Sequence, residues 1–266
     1  YAGFDRLLRR EYADGTVRER RYDALGRVIE QIDEAGRSSQ FAYDILGRLI
    51  RVTDAVGGVT TYAHDEAGNL LTQTDALGRI TRYRYDELGR LVERQLPGGA
   101  QESFTYDAVG NTTAHTDFNG DTTRFRYDAM NRLMEKTFPD DSIQTFTYTA
   151  TGRRGTVTDS RGTTTSQYDA NDRLVSVTHP GGEIVEYGYD AAGRLGTLTA
   201  PDSSASYSYD ALNRLATVTS TDGTASYAYD AVGNLAQLVA GNGITSDFAY
   251  DTRNRLTETR HTSGGV

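Results

Sequence analysis

The sequence predicts an all-β protein made of repetitive antiparallel β-hairpins, about 21 residues per repeat, joined in one spiralling sheet. Three observations predict this fold. A phrase such as YRYDELGRL at 83–91 recurs about a dozen times, aromatic residues alternate with other residues in most copies, and turn-forming residues follow at a fixed distance. No stretch shows convincing helical periodicity. A period this strict indicates one continuous array over residues 1–266 rather than two domains.

Each repeat begins with an extended strand that ends in an aromatic anchor. The anchor is Tyr in every copy except one, where it is His64, and successive anchors are 20 or 21 residues apart. The residue two positions earlier is aromatic except at Arg20 and Ser166. Because side chains alternate along a strand, both aromatic residues of a copy project from one face, a pattern that favours β structure. A shortened copy, FDRLLRR, begins at Phe4.

A tight turn is predicted directly after each anchor. The next residue is Asp in every copy except one, where it is Thr149. An Asp at the first position of a type I turn can accept a hydrogen bond from the backbone N–H two residues later. The residue three positions after the Asp is always Gly, Asn or Asp, the types that tolerate positive φ. A type I turn followed by a left-handed residue closes hairpins.

Arg follows this slot in most copies and Asn follows it in the others, and the next position is usually Leu. The anchor, the Asp, the Gly, Asn or Asp slot and the Arg form the predicted structural turn motif. Its residues are Tyr22, Asp23, Gly26, Arg27, Tyr43, Asp44, Gly47, Arg48, Tyr85, Asp86, Gly89, Arg90, Tyr106, Asp107, Gly110, Tyr127, Asp128, Asn131, Arg132, Tyr168, Asp169, Asp172, Arg173, Tyr189, Asp190, Gly193, Arg194, Tyr209, Asp210, Asn213, Arg214, Tyr229, Asp230, Gly233, Tyr250, Asp251, Asn254 and Arg255.

A second strand of about five residues follows, as in LATVT at 215–219, and ends at what the sequence predicts to be a looser turn, such as DALGR at 75–79. Each repeat thus supplies two strands, which gives about two dozen in all. An open sheet of this width curls, splits or flattens. Three architectures can hold this many strands: a spiral around a cavity, a set of four-stranded propeller blades and a flat solenoid. Little alternation at twice the repeat length favours the spiral over the propeller.

Composition excludes several classes of function. The net charge of −9 argues against nucleic acid as a partner. Cys is absent, which excludes disulfides and thiolate metal sites within the chain, and no apolar run is long enough for a membrane-spanning segment. The sequence starts and stops inside a repeat, so we expect a fragment of a much longer protein.

The phrase Y-D-x-x-G-R-L resembles the YD repeats of the bacterial Rhs family and, more broadly, the teneurin and Tc-toxin shells. Tyr43, Asp44, Gly47, Arg48 and Leu49 carry it in one copy, and matching residues recur across nearly the whole chain. The resemblance implies part of a hollow β-shell, with flanking YD repeats and a shell plug as partners. In bacterial members the shell encloses a C-terminal toxin or effector domain in cis, and the protein is secreted or displayed on the cell surface for delivery to competing cells.

Shells of this family are usually closed by a segment with an Asp-Pro self-cleavage motif. No Asp-Pro pair occurs in this sequence, so the plug, the cleaving aspartates and the toxin are expected to lie outside these residues.

No catalytic, cofactor-binding or metal-binding residues are predicted. Turn capping accounts for the Asp residues, the four His residues are scattered without a ligand spacing, and no nucleotide-binding or nucleophile motif occurs. We therefore expect a non-enzymatic shell segment that encapsulates and protects a toxin. The alternative is an extracellular recognition or adhesion module that binds glycan or a cell-surface protein through aromatic ladders and turn loops. An enzyme is the least expected function.

Overall fold

The structure is a computed structural model that describes residues 8–12 and 15–263, so Phe4 and the start of the shortened copy FDRLLRR lie outside the described residues. Within those ranges every regular element is a β-strand, and 25 strands are formed. The prediction of an all-β protein of about two dozen strands is confirmed. The chain divides into two compact units, residues 1–132 with 136–141 and residues 133–135 with 142–266.

In the first unit, each strand from β1 to β11 pairs antiparallel with the next along the chain. This unbroken succession is unlike a set of radial four-stranded blades. The strands are β1 (Arg9–Glu11), β2 (Val17–Tyr22), β3 (Val28–Ile32), β4 (Ser38–Tyr43), β5 (Leu49–Thr53), β6 (Val59–His64), β7 (Leu70–Thr74), β8 (Ile80–Tyr85), β9 (Leu91–Gln95), β10 (Gln101–Tyr106), β11 (Thr112–Thr116) and β12 (Thr122–Tyr127).

Strand β13 (Leu133–Thr137) contains residues of both units. In the second unit, each strand from β14 to β24 again pairs antiparallel with its successor. These strands are β14 (Ile143–Tyr148), β15 (Arg154–Asp159), β16 (Gly162–Tyr168), β17 (Leu174–Thr178), β18 (Ile184–Tyr189), β19 (Leu195–Ala200), β20 (Ser203–Tyr209), β21 (Leu215–Ser220), β22 (Gly223–Tyr229), β23 (Leu235–Val239), β24 (Ile244–Tyr250) and β25 (Leu256–Ser263).

The hairpin of β4 and β5 shows the local structure that the motif produces. Ala42 lies opposite Arg51, and the register then shifts by one residue so that Tyr43 lies opposite Leu49. The turn that follows closes at Gly47, which has a φ of 83°. A register shift beside a type I turn with a left-handed residue is a bulged hairpin connection, and such bulges increase the local twist of the sheet. We call the connection that follows each anchor a motif turn.

The other connections, here called return turns, differ from the sequence prediction because most of them are as tight as the motif turns. In the return turn at 33–37, the N–H of Gly36 donates to the carbonyl of Asp33 at 2.9 Å, and the N–H of Asp33 donates to the carbonyl of Arg37 at 3.0 Å. The same two bonds close the return turns at 54–58, 75–79, 96–100, 117–121, 179–183 and 240–244. The prediction of looser turns was therefore wrong, because a Gly at the fourth position supplies the same left-handed residue.

Three return turns are one residue shorter, with only two residues between the paired strand ends. Asp159 lies opposite Gly162, Ala200 opposite Ser203, and Ser220 opposite Gly223. These turns belong to the three repeats whose anchors are 20 residues apart instead of 21. The irregularity in the period therefore arises in the return turns and leaves the motif turns unchanged.

Little of the described chain is fully buried. Phe146, at 7% exposure, is the only buried apolar side chain among the described residues. The anchors and the other aromatic residues two positions before them are half-buried, as in β8 and β20. Contacts between neighbouring strands, rather than a central core, therefore provide most of the stabilisation.

Candidate functional site, a ladder of motif turns

The carboxylate of each motif turn is bonded within its own turn. Asp23 Oδ1 accepts hydrogen bonds from the backbone N–H groups of Leu25 and Arg27, both at 2.9 Å, and Asp23 Oδ2 accepts one from Arg27 Nε at 2.6 Å. The bonds from the Arg backbone and side chain recur at seven further motif turns, those of Asp44, Asp86, Asp128, Asp169, Asp190, Asp210 and Asp251.

These bonds hold the carboxylates in the charged form. The backbone N–H of Arg90 lowers the pKa of Asp86 below its usual value; partial desolvation opposes this shift, and the Arg90 guanidinium adds to it. The side-chain amide of Asn111 lowers the pKa of Asp107 in the same way. A carboxylate that is ionised and bonded at both oxygens is poorly placed to serve as a general acid or to ligate a cation.

Copies that depart from the motif replace the missing group with a similar one. Asn69 Nδ2 donates to Asp65 Oδ2 at 2.8 Å, so the Asn amide takes the place of an Arg Nε–H. Thr149 Oγ1 accepts the N–H of Arg153 at 3.0 Å, as an Asp carboxylate does elsewhere. The restricted set of residue types at these slots therefore follows from hydrogen bonding.

The slot of Gly, Asn or Asp has positive φ in all twelve motif turns. The non-glycine members are Asn131, Asp172, Asn213 and Asn254, with φ between 59° and 62°. Asn and Asp populate this left-handed region more readily than other side chains, whereas a β-branched residue is strained there.

The anchors also connect one repeat to the repeat before it. The hydroxyl of Tyr209 donates to the carbonyl of Leu195 at 2.9 Å, and that of Tyr106 donates to the carbonyl of Leu91 at 2.7 Å. The same bond, 14 or 15 residues back along the chain, is made by Tyr43, Tyr148, Tyr168, Tyr189, Tyr229 and Tyr250. Sequence reasoning missed these bonds because their acceptor is a backbone atom.

The motif Arg connects each repeat to the repeat after it. Arg90 Nη1 donates to the carbonyl of Asp107 in the next motif turn at 3.0 Å, and its guanidinium lies 4.6 Å from the ring centroid of the next anchor, Tyr106. Arg48 makes the equivalent bond to the carbonyl of Asp65 at 2.6 Å. Guanidinium groups cover the next anchor ring in the same way at Arg27, Arg173, Arg194 and Arg214.

The structure therefore brings the predicted turn residues together within each turn and, through Tyr and Arg, with the turns on either side. We call this arrangement the turn ladder. His115 and His261 lie outside the turn ladder, in other contacts, whereas His64 occupies an anchor position. His115 stacks on Phe104 with ring centroids 4.6 Å apart, and His261 Nδ1 lies 2.8 Å from Ser246 Oγ. Across the described ranges, no three His, Asp or Glu side chains form a group that could hold a metal ion.

One ionic cluster interrupts the aromatic face in the first unit. Glu102 is buried, its Oε1 lies 2.7 Å from Arg94 Nε, and its Oε2 lies 3.4 Å from His115 Nε2. Arg94 also covers the ring of Phe118 at 4.9 Å. In the second unit, the positions equivalent to Arg94 and His115 carry no charge: they are Val157, Val177, Leu198, Val218, Leu238 and Thr259. No predicted site residue belongs to this cluster.

The described part of the chain contains no helix with the length and hydrophobicity to cross a membrane.

Models of known protein families match nearly the whole repeat array. The model of the teneurin YD-shell matches residues 15–160 and 60–225, and the model of the RHS repeat matches residues 229–266. The chain belongs to the teneurin YD-shell family. A search of curated protein sequences finds no match. The expectation of an Rhs and YD-repeat relative is confirmed.

Solved structures show the same YD-shell fold. The crystal structure of TcdB2-TccC3 aligns over 96% of this chain and 18% of its own, with a TM-score of 0.68 and 16% identity. The TcdB2-TccC3 structure without its hypervariable C-terminal region aligns over 94% of this chain and 19% of its own, with a TM-score of 0.57 and 17% identity. A Tc holotoxin pore structure from Photorhabdus luminescens aligns over 94% of this chain and 19% of its own, with a TM-score of 0.52 and 18% identity. The chain thus spans about a fifth of these chains.

Proposed function

We propose that this chain is a wall segment of an Rhs-type shell, and that the shell encapsulates and protects a C-terminal toxin or effector domain located outside these residues. The segment acts by containment and catalyses no reaction. Flanking YD repeats and a plug segment complete the enclosure, and the complete protein is secreted or displayed on the cell surface. The YD-shell family and the likeness to TcdB2-TccC3 support this role.

The turn ladder is the observation that carries the proposal. Most repeats contact a neighbouring repeat through the Tyr hydroxyl or the Arg guanidinium as well as through their strands. A ladder in which these contacts recur makes a wall that can be extended by adding repeats. The polar groups that recur along the chain form the bonds of this wall, so they are not available for chemistry on a substrate.

The recognition alternative has weaker support. Glycan stacking requires exposed aromatic faces, but several anchor rings are covered by an Arg guanidinium, as at Tyr106 and Tyr229, and their hydroxyls donate to backbone carbonyls. A sugar could stack on these rings only by displacing the guanidinium. A glycan array probed with this chain would support the alternative if micromolar binding were lost on Tyr106→Ala.

The test of encapsulation is protease protection in the complete polypeptide that carries this chain. The region downstream of the repeats should survive a non-specific protease at least tenfold longer within the complete polypeptide than when it is expressed alone. Equal survival would contradict the proposal.

A matched pair of variants shows whether the ladder provides the protection. Gly89→Val places a β-branched residue at a φ of 75° and should shorten survival of the downstream region, whereas Glu87→Ala in the same turn should leave it unchanged. Protection that is insensitive to Gly89→Val would show that another part of the polypeptide forms the barrier.

A further inference from the structure

Basic side chains form a row on the aromatic face of the first unit, the sheet face that carries the anchors. The row consists of Arg94, His115 and Lys136, which are 21 residues apart and each occupy the fourth position of their strand. Arg94 lies opposite Tyr83 and His115 lies opposite Phe104, so they project from the aromatic face. We call these three residues the basic row. It presents one side chain at every second strand, or about every 10 Å.

The basic row is confined to three successive repeats, because the same position is uncharged in the repeats before and after them. It is Gln31, Val52 and Gln73 before the row and Val157 and Val177 after it. The sheet therefore forms without a basic residue at this position. Three basic residues in succession indicate a role other than folding.

Phenylalanine rings lie against the basic row. The Arg94 guanidinium lies 4.9 Å from the ring centroid of Phe118, and the Lys136 ammonium lies 4.4 Å from that of Phe138. These rings hold the two cations in place and displace part of their hydration. A partly dehydrated cation attracts an anion more strongly than a fully solvated one, since the local dielectric constant is lower.

The charges of the basic row are unevenly balanced. Arg94 and His115 lie on either side of the buried Glu102 carboxylate, which shows that this surface accepts an anion. Lys136 contacts the Phe138 ring and forms no ion pair with any residue that the structure describes. On the other face of the same sheet, by contrast, Arg84 is paired with Glu93 at 2.7 Å. The Lys136 end of the row thus remains open to a second carboxylate.

We propose that the basic row binds an extended acidic peptide segment that runs across strands β9 to β13. Carboxylates form strong charge-assisted hydrogen bonds with Arg and Lys. A spacing of about 10 Å corresponds to three residues of an extended chain, so an Asp or Glu at every third position fits the row. This interaction surface goes beyond the proposed function and does not depend on it.

A peptide fits this surface better than a nucleic acid does. The row offers three basic side chains within a chain of net charge −9, whereas nucleic-acid binding relies on neutralising many phosphates. Stacking of bases also requires free aromatic faces. The rings of Phe104, Phe118 and Phe138 are already in contact with the basic row.

Fluorescence anisotropy with this chain and a labelled, acetylated nonapeptide tests the inference. The peptide has Glu at every third position and Thr elsewhere. One control peptide has Gln in place of Glu, and another has its three Glu residues adjacent. We expect the first peptide to bind at least fivefold more tightly than either control and to bind less tightly as salt is raised. Equal binding of the three peptides would overturn the inference.

Variants locate the binding on the basic row by introducing residue types that other repeats carry at the same positions. Lys136→Val should weaken binding at least fivefold, and Lys136→Arg should keep it within twofold of the unsubstituted chain. Arg94→Val is made together with Glu102→Thr, because loss of Arg94 alone would leave a buried carboxylate without its main partner. This pair leaves the net charge unchanged and should also weaken binding at least fivefold.

Arg84→Thr is the matched control on the other face and should leave the affinity unchanged. Unchanged affinity in the Lys136→Val chain, or an equal loss in the Arg84→Thr chain, would overturn the inference.

Zero-length crosslinking finds the site without any substitution, because Lys136 is the only Lys of the chain. A carbodiimide joins a peptide carboxylate to a Lys amine as an amide only where the two are in contact. Mass spectrometry should place the peptide on Lys136, and crosslinks confined to the amino terminus would overturn the inference. Tighter binding of a nine-nucleotide oligothymidylate than of the peptide would assign the surface to nucleic acid and would also overturn it.

Discussion

The motif turn at 86–90 and the return turn at 75–79 have almost the same sequence, DELGR and DALGR, but different surroundings. Both close through the same backbone bonds, and in both an Asp binds the Arg four residues later. The Arg90 side chain is 27% exposed and contacts the next motif turn, whereas the Arg79 side chain is 62% exposed. The local turn is therefore common to both edges, and the contacts between repeats distinguish them.

This difference explains why the motif turns vary less than the return turns. A return turn has to reverse the chain, and it does so with two residues between the paired Ala200 and Ser203 or with three between the hydrogen-bonded Asp33 and Arg37. A motif turn must also place a Tyr hydroxyl and an Arg guanidinium against its neighbours, and a change in length would break both contacts.

The largest expected effect tests the requirement that both classes of turn share. Gly89→Val should destabilise the chain by about 1–3 kcal/mol, because it forces a β-branched residue into the left-handed region. Gly78→Val, in the return turn, should cost a similar amount, since Gly78 has a φ of 76°. Urea unfolding measures both.

Two controls belong to this experiment. Glu87→Ala should change stability by no more than about 0.5 kcal/mol, and Gly89→Asn should be tolerated because Asn131 occupies the same slot with a φ of 60°. Equal losses for Gly89→Val and Glu87→Ala would contradict the assignment of the turn.

The next effect should separate the two edges. Arg90→Ala removes the bond to the Asp107 carbonyl and the cover over the Tyr106 ring, and we expect a loss of about 1–2 kcal/mol. Arg79→Ala removes an exposed ion pair and should cost no more than about 0.5 kcal/mol. Similar thermal shifts for the two variants would mean that the contact between repeats adds nothing.

A smaller effect isolates the anchor hydroxyl. Tyr209→Phe removes one hydrogen bond to the Leu195 carbonyl and leaves the ring in place, so the expected loss is about 1 kcal/mol. Tyr207→Phe, at the aromatic position two residues earlier in the same strand, is the control and should be close to neutral. The two variants are compared by denaturant unfolding, and a reversed order would argue against the ladder.

The two edges should lose stability in the same way in acid. The backbone N–H of Arg90 is the main cause of the lowered pKa of Asp86. The backbone N–H of Arg79 is the main cause of the lowered pKa of Asp75. When the pKa of an Asp is lower in the folded state, the Asp stabilises the fold at every pH above its unfolded-state pKa of about 3.9. This stabilisation is lost as the pH falls through the folded-state pKa. Stability measured from pH 5 to pH 2 should therefore decline, and Asp86→Asn and Asp75→Asn should weaken that decline equally.

The sequence allowed the strands, the motif turns and the left-handed slots to be predicted because backbone geometry imposes each of them locally. The Gly that closes the turn at 75–79 was visible as well, and reading that turn as loose was an error of interpretation. The bonds between repeats could not be predicted in this way. The acceptor for Tyr209 is a peptide carbonyl, which every residue carries, and Arg79 and Arg90 look alike until their neighbours are known.

The contacts of the turn ladder join residues that are close in sequence. An Arg reaches the motif turn 17 residues ahead, and a Tyr reaches a carbonyl 14 or 15 residues behind. Structures dominated by such short separations fold quickly, since little chain entropy is lost before each contact forms. Every new hairpin can attach to the one completed just before it, so the array can grow by accretion from its amino-terminal end while the ribosome is still translating the rest.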